Sequence, residues 1–147
     1  MLLLYIIISP GLIGCEMSKK LPNYQEKQRI LYIDHQSERD LIAYGDAFLE
    51  AGKMFDALEC YQRVNYSDGL EKIKGMAERS GDVMLFQQVL KSLKLYVSDD
   101  AWNALGNRAF ELKKYSFALH AFEKSNNSIM AEKIKKIMMT KEREQSA

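Results

Sequence analysis

The sequence predicts an all-α protein built from stacked helical hairpins, and three observations support this fold class. The helix formers Leu, Ala, Glu, Lys and Met dominate the chain, which contains only two prolines. No alternation of Val, Ile and Thr is long enough to indicate a β-strand. A segment with the spacing of a helical hairpin also occurs twice, which is typical of repeat proteins.

The repeat is the strongest feature of the sequence. Residues 43–74, AYGDAFLEAGKMFDALECYQRVNYSDGLEKIK, align without a gap with residues 104–135, ALGNRAFELKKYSFALHAFEKSNNSIMAEKIK. The offset, taken between Gly45 and Gly106, is 106 − 45 = 61 residues. Because identical residue types recur along the whole segment, both copies are expected to fold in the same way.

Small residues at matching places predict close packing inside each hairpin. Gly45 and Gly106 let the first helix approach its neighbours, and Ala57 and Ala118 do the same on the second helix. Large side chains are expected to fill the gaps that these residues leave, and Gly52 permits the turn between the two helices.

Trp102-x2-Leu105-Gly106 followed by Ala118-x3-Phe122 resembles the tetratricopeptide signature. The resemblance implies an α-solenoid over residues 37–143, with about three hairpins and a C-terminal helix. It departs from the family at Ala109, where a tyrosine is expected, and the proline that usually ends a unit is absent. The alternating hairpins are also similar to the looser helical repeats of vesicle-coat and intraflagellar-transport scaffolds.

The remaining helices follow from periodicity and capping. Residues 70–93 read as a middle hairpin that turns at Ser80-Gly81-Asp82. Residues 24–35 are predicted to form a helix capped by Asn23. Residues 128–143 form the last helix, and residues 144–147 are expected to be a frayed tail.

The N-terminus has the pattern of an exported lipoprotein. Residues 2–8, LLLYIII, have the character of a secretory h-region, and Leu12-Ile13-Gly14-Cys15 resembles the bacterial lipobox. The resemblance implies a signal peptide over residues 1–14, lipid (such as diacylglycerol and palmitate) on Cys15, and a tether with an N-terminal helix over residues 15–36. The expected location is the cell envelope, anchored to a membrane on the periplasmic or outer-membrane side.

One feature departs from this pattern, because no basic residue precedes Lys19. The alternative is an uncleaved short anchor or a buried N-terminal helix, with the domain in the cytoplasm.

No motif indicates catalysis, a metal or a cofactor. His35 and His120 have no ligand neighbours at metal spacing, and the Asp99-Asp100 pair is better explained as a helix cap with a first-turn acid. Cys60 is expected to be a small, partly buried residue. A net charge of +1 gives no reason to expect nucleic acid. We therefore expect neither an enzyme nor a small-molecule substrate.

Register with tetratricopeptide arrays implies a partner-binding concave groove formed by the first helix of each hairpin. The groove set is acidic on balance and lacks the lysines of the family's carboxylate-clamp groove; the alternative is that its members are simply solvated. Its members are Arg39, Ile42, Asp46, Leu49, Glu50, Asp68, Glu71, Glu78, Arg79, Asp100, Asn103, Asn107, Phe110 and Glu111.

A second binding surface is predicted on the last helix, which carries Met130, Ile137, Met138 and Met139. Methionines adapt to varied partners, although the same residues could instead close the core.

The expected function is a non-enzymatic scaffold or assembly factor, anchored by lipid in an envelope complex such as a pilus, secretion or motility machine. Two alternatives stay open: a soluble adaptor or chaperone of the same fold, and an accessory subunit of an enzyme complex.

Overall fold

The computed structural model describes residues 21–146, and this part of the chain is helical throughout, without a strand. The predicted signal peptide and Cys15 lie outside the described residues. None of the described helices is long and apolar enough to cross a membrane. The helices are α1 (Tyr24–Tyr32), α2 (Glu38–Glu50), α3 (Met54–Arg63), α4 (Ser67–Ser80), α5 (Val83–Leu93), α6 (Asp99–Glu111), α7 (Tyr115–Lys124) and α8 (Ser128–Gln145).

The helices form two layers of stacked hairpins, which confirms the predicted fold class. Helices α2 and α3, α4 and α5, and α6 and α7 pair as neighbours along the chain, and α7 also packs against α8. Contacts of α4 with α2 and α6 make a first layer of α2, α4 and α6. Helix α8, the repeat mate of α4, extends this layer, and its Lys133 ammonium lies 5.6 Å from the centre of the Phe110 ring on α6. Contacts of α5 with α3 and α7 make a second layer, which α1 begins by binding α3 through Lys27 and Arg63.

The 61-residue repeat is reproduced at every helix boundary of the two copies. Helices α2 and α3 map onto α6 and α7 from first to last residue, and α4 begins at the position that corresponds to the start of α8. Even the left-handed turn is repeated, because Gly52 has φ +74° and its mate Lys113 has φ +59°. Lys113 therefore adopts a conformation that glycine takes without cost, and sequence identity alone did not reveal this.

Tyr61 is the central side chain of the first half. It is fully buried and lies between Gly45 on α2 and Gly69 on α4, where added Cβ atoms would come within 2.3 Å and 2.7 Å of its ring. Phe122 lies in the same way against Gly106, whose added Cβ would stand 3.0 Å from that ring. The predicted close packing at Gly45 and Gly106 is therefore confirmed, while the role of Gly69 was not predicted.

The middle hairpin forms as predicted. Leu70, Ile73 and Ala77 are buried on α4. The turn places Gly81 at φ +62°, and an added Cβ there would lie 2.8 Å from the Cα of Ala109. A small residue at position 109, where the tetratricopeptide pattern has tyrosine, lets this turn lie directly on α6.

Helix ends differ from the predictions in three places. Asn23 caps α1 in a capping box with Glu26, but α1 ends at Tyr32, before His35. The cap of α6 is Ser98, so Asp99 and Asp100 are both first-turn acids. Helix α8 continues to Gln145, which makes two residues of the predicted tail helical.

Candidate partner-binding surface

The first-layer face carries the predicted groove residues, and nine of them are exposed. They are Arg39, Glu50, Asp68, Glu71, Glu78, Arg79, Asp100, Asn107 and Glu111. Six carboxylates against two guanidinium groups give this set a negative balance. Two of the carboxylates form ion pairs within their own helix, Glu71 with Lys74 at 3.2 Å and Glu111 with Arg108 at 3.1 Å. Such exposed pairs add little stability and leave the carboxylates accessible to a partner.

Four other groove residues have roles inside the domain. Asp46 accepts a hydrogen bond of 2.7 Å from the Tyr61 hydroxyl. Burial, and then this hydrogen bond to Asp46, raise the pKa of Tyr61. Leu49 packs on the core cluster, and Phe110 makes an edge contact with the Tyr115 ring at 5.9 Å.

Among these four residues, Asn103 has the most clearly structural role. Its Oδ1 accepts hydrogen bonds from Ser125 Oγ and Asn127 Nδ2, both of 2.9 Å. These bonds tie the α7–α8 turn to α6, so the side chain is used inside the domain.

Comparison of the two repeat copies explains why equivalent groove positions are not equally accessible to a partner. Asp46 and Asn107 are mates under the offset, and so are Tyr61 and Phe122. Phe122 has no hydroxyl group, so Asn107 receives no bond like that of Asp46 and stays exposed. A partner-binding role therefore suits Asn107 better than Asp46.

Basic side chains at the end of α4 belong to the fold. Arg108 Nε donates to the Arg79 carbonyl at 2.8 Å, and Lys114 Nζ donates to the Ser80 carbonyl at 2.6 Å. Both satisfy carbonyls at a helix C-terminus, where a cation is favoured. They also offset part of the acidic balance of the groove.

The four residues predicted on the last helix differ in exposure. Met130, Ile137 and Met138 are half-buried, whereas Met139 is 58% exposed. The helix is held to the stack by Ala131 and Ile134, which are buried. Part of the apolar surface of α8 therefore closes the core and part reaches solvent.

Met138 borders a hollow of about 450 Å³ between α7 and α8, which we call the C-terminal hollow. It has an apolar floor and a rim of three lysines and one glutamate. The residues that define it are Lys113, Lys114, Tyr115, Ser116, Phe117, Met138, Lys141 and Glu142. The ammonium of Lys141 lies 4.3 Å from the centre of the Tyr115 ring.

Sequence reasoning missed a charged cluster between α1 and α3. Lys27 is 7% exposed and its Nζ donates to Asp56 at 2.5 Å and to Glu59 at 2.6 Å. Burial alone would lower the pKa of Lys27, but the hydrogen bonds to the two carboxylates outweigh it and raise that pKa. Lys27 stands four residues before the buried Leu31 on one helix face, a spacing that could have revealed it.

The same bonds fasten α1 to the stack, with Tyr32 donating to Glu59 at 3.1 Å and Arg63 donating to the Leu31 carbonyl at 3.1 Å. The charged groups of this cluster pair with one another, and the cluster joins α1 to α3.

Within the described residues, potential metal ligands do not come together in groups of three, so no set of His, Cys, Asp or Glu residues there could hold a metal ion in this way. Cys60 is fully buried rather than partly buried, and this burial raises its pKa to about 12. His120 contacts Gln87 Oε1 at 3.2 Å between α7 and α5.

In comparisons with known proteins, the chain matches no protein-family profile, no curated protein and no solved structure.

Proposed function

We propose that this protein is a tetratricopeptide-like interaction scaffold, held at a membrane of the cell envelope by lipid on Cys15, where it assembles or positions a protein complex. The observation that carries the scaffold role is the first-layer face, where a repeated stack of hairpins presents exposed polar residues from three successive helices. Such a face suits binding of an extended segment or a helix of another protein.

The exposed members of the groove set indicate the chemistry of this partner. Glu50, Glu78 and Glu111 stand at or near the C-terminal ends of three first-layer helices. A carboxylate at that end of a helix is disfavoured by the helix dipole, so stability does not explain these residues. We infer that they face a partner segment carrying lysine or arginine.

The lipid anchor is supported by the sequence pattern that ends at Cys15. The folded domain begins close to it, because Leu21 already packs on the core cluster. Residues 15–20 would then form the whole tether. Six residues span about 20 Å when fully extended, so the anchor would hold the N-terminal end of the stack near the membrane surface.

Metabolic labelling with palmitate, followed by mass spectrometry of the mature N-terminus, tests the anchor. We expect label on the wild type and on Cys60→Ala, and none on Cys15→Ser. An unmodified Met1 in protein from the native cell would refute the anchor and favour the soluble adaptor.

Photo-crosslinking tests the scaffold separately. A photoreactive residue at Asn107 or Glu78 should capture the same envelope protein, whereas one at the exposed second-layer position Gln88 should not. Substitution of Glu50 and Glu111 by lysine should remove the adduct, and the second-layer change Glu123→Lys should not. Equal capture from both layers would contradict a first-layer binding face.

A further inference from the structure

The two ends of the stack are complementary halves of a hairpin. Helix α8 closes the first layer and, within the described residues, no second-layer helix follows it. Helix α1 opens the second layer and, again within those residues, no first-layer helix precedes it. Each end therefore presents the surface that the other end would cover in a continued stack.

The interior of the protein shows what such a covering does. Helix α4, the repeat mate of α8, is followed by α5, which packs on it with Val83 and Leu85 fully buried. There Ala77 is also fully buried. Its mate under the 61-residue offset is Met138, which is half-exposed and borders the C-terminal hollow. The hollow thus corresponds to a place that a second-layer helix covers in the first half.

The start of α1 has the side chains to enter this hollow. Tyr24, the first residue of α1, is 74% exposed, and Glu26 in the same turn is exposed as well. An aromatic ring suits the floor of Tyr115, Phe117 and Met138.

Charge favours the same pairing. Helix α8 carries five basic and three acidic residues, and three lysines rim the hollow against one glutamate. At the opposite end of the stack, two surface hollows beside α1 and α2 are lined by three acidic residues and one basic residue. They are Glu26, Asp34, Asp40 and Arg29. Opposite potentials at the two ends favour head-to-tail contact and oppose contact between identical ends.

We infer that a second copy of this chain binds at the C-terminal end, with its α1 seated against α8 and the C-terminal hollow, as α5 is seated against α4. The contact joins two different surfaces, so it repeats and builds rows of copies rather than closed dimers. The inference does not depend on the lipid anchor or on the groove partner.

The test uses two variants of the full chain, each blocked at one end, in a mild detergent that keeps residues 1–20 dispersed. Tyr24→Lys places a fourth positive charge against the lysine rim, and Lys141→Glu places a carboxylate beside the incoming Glu26. Matched controls are Tyr96→Lys, at a fully exposed loop tyrosine, and Lys124→Glu, at the exposed last residue of α7, not on α8 and outside the hollow. Circular dichroism and melting establish that all four are folded.

Light scattering across a concentration series gives the readout. We expect the mass of the wild type and of both controls to rise beyond a dimer, and each blocked variant to stay monomeric. A mixture of the two blocked variants retains one intact head and one intact tail, so it should form a heterodimer and nothing larger.

Three outcomes would overturn the inference. They are a wild type that stays monomeric at all concentrations, a mixture that remains monomeric, or Tyr24→Lys associating like wild type while Lys141→Glu does not. The last result would show that two tails pair symmetrically.

Discussion

Gly45 lets Tyr61 occupy the space between α2 and α4, and Gly45→Ala tests this arrangement directly. The new Cβ would lie 2.3 Å from Tyr61 Cε1, where ordinary contacts are 3.4–4 Å. The ring cannot retreat freely, because Gly69 is close on its other side and Asp46 holds its hydroxyl. We expect an overpacking cost of about 3 kcal/mol, reduced by about 0.5–1 kcal/mol because alanine favours a helix more than glycine.

The net loss of about 2 kcal/mol corresponds to a melting temperature lower by about 6 °C in a chain of this size. Gly75→Ala is the matched control, since only the flexible end of Arg79 comes near its added Cβ, at 3.4 Å. We expect this control to gain about 0.5–1 kcal/mol. Gly106→Ala should fall between the two, because its closest approach is 3.0 Å.

Thermal melts and urea titrations of the three variants supply the measurement. In a Tyr61→Leu background the cost of Gly45→Ala should fall below about 1 kcal/mol, because the clashing ring is gone. A Gly45→Ala protein as stable as the Gly75→Ala control would refute the proposed packing of Tyr61.

Three further predictions concern single side chains. Lys27→Met should cost about 1–3 kcal/mol in urea titrations, because it leaves two partly buried carboxylates of α3 without their cation; a stability equal to wild type would contradict this. Folding raises the Lys27 pKa, so its contribution should hold from neutral pH up to the ordinary lysine value of about 10.4 and fade as the pH rises through the folded value. Asn103→Ala removes two hydrogen bonds, which should cost about 1–2 kcal/mol of stability and so lower the melting temperature. Asn107→Ala should not change the melting temperature; equal melting of both variants would show that Asn103 is not structural. Cys60 should resist iodoacetamide at pH 8 until the chain is unfolded in urea, as peptide mass spectrometry can follow, and rapid labelling of the folded protein would show that the buried thiol is accessible.

The packing and turns within one repeat unit could largely be predicted from the sequence. The 61-residue offset located the hairpins, and Gly45, Gly106 and Gly52 marked close packing and a turn, because these features depend on residues near one another in the chain. The predicted helix ends were less accurate at Tyr32, where α1 stops, since helix termini depend on a few weak local bonds.

The sequence by itself determined the helical hairpins and their order, because small residues, turns and apolar periodicity recur at a fixed offset. Only the tertiary structure decided which polar groove residues are available to a partner. Asp46 and Asn103 are used by the fold because Tyr61 and the α7–α8 turn reach them from other helices. Lys27 is likewise buried by a helix about 30 residues away and not by its neighbours. Packing between distant helices fixes these contacts, and a helical pattern records only which residues share a face.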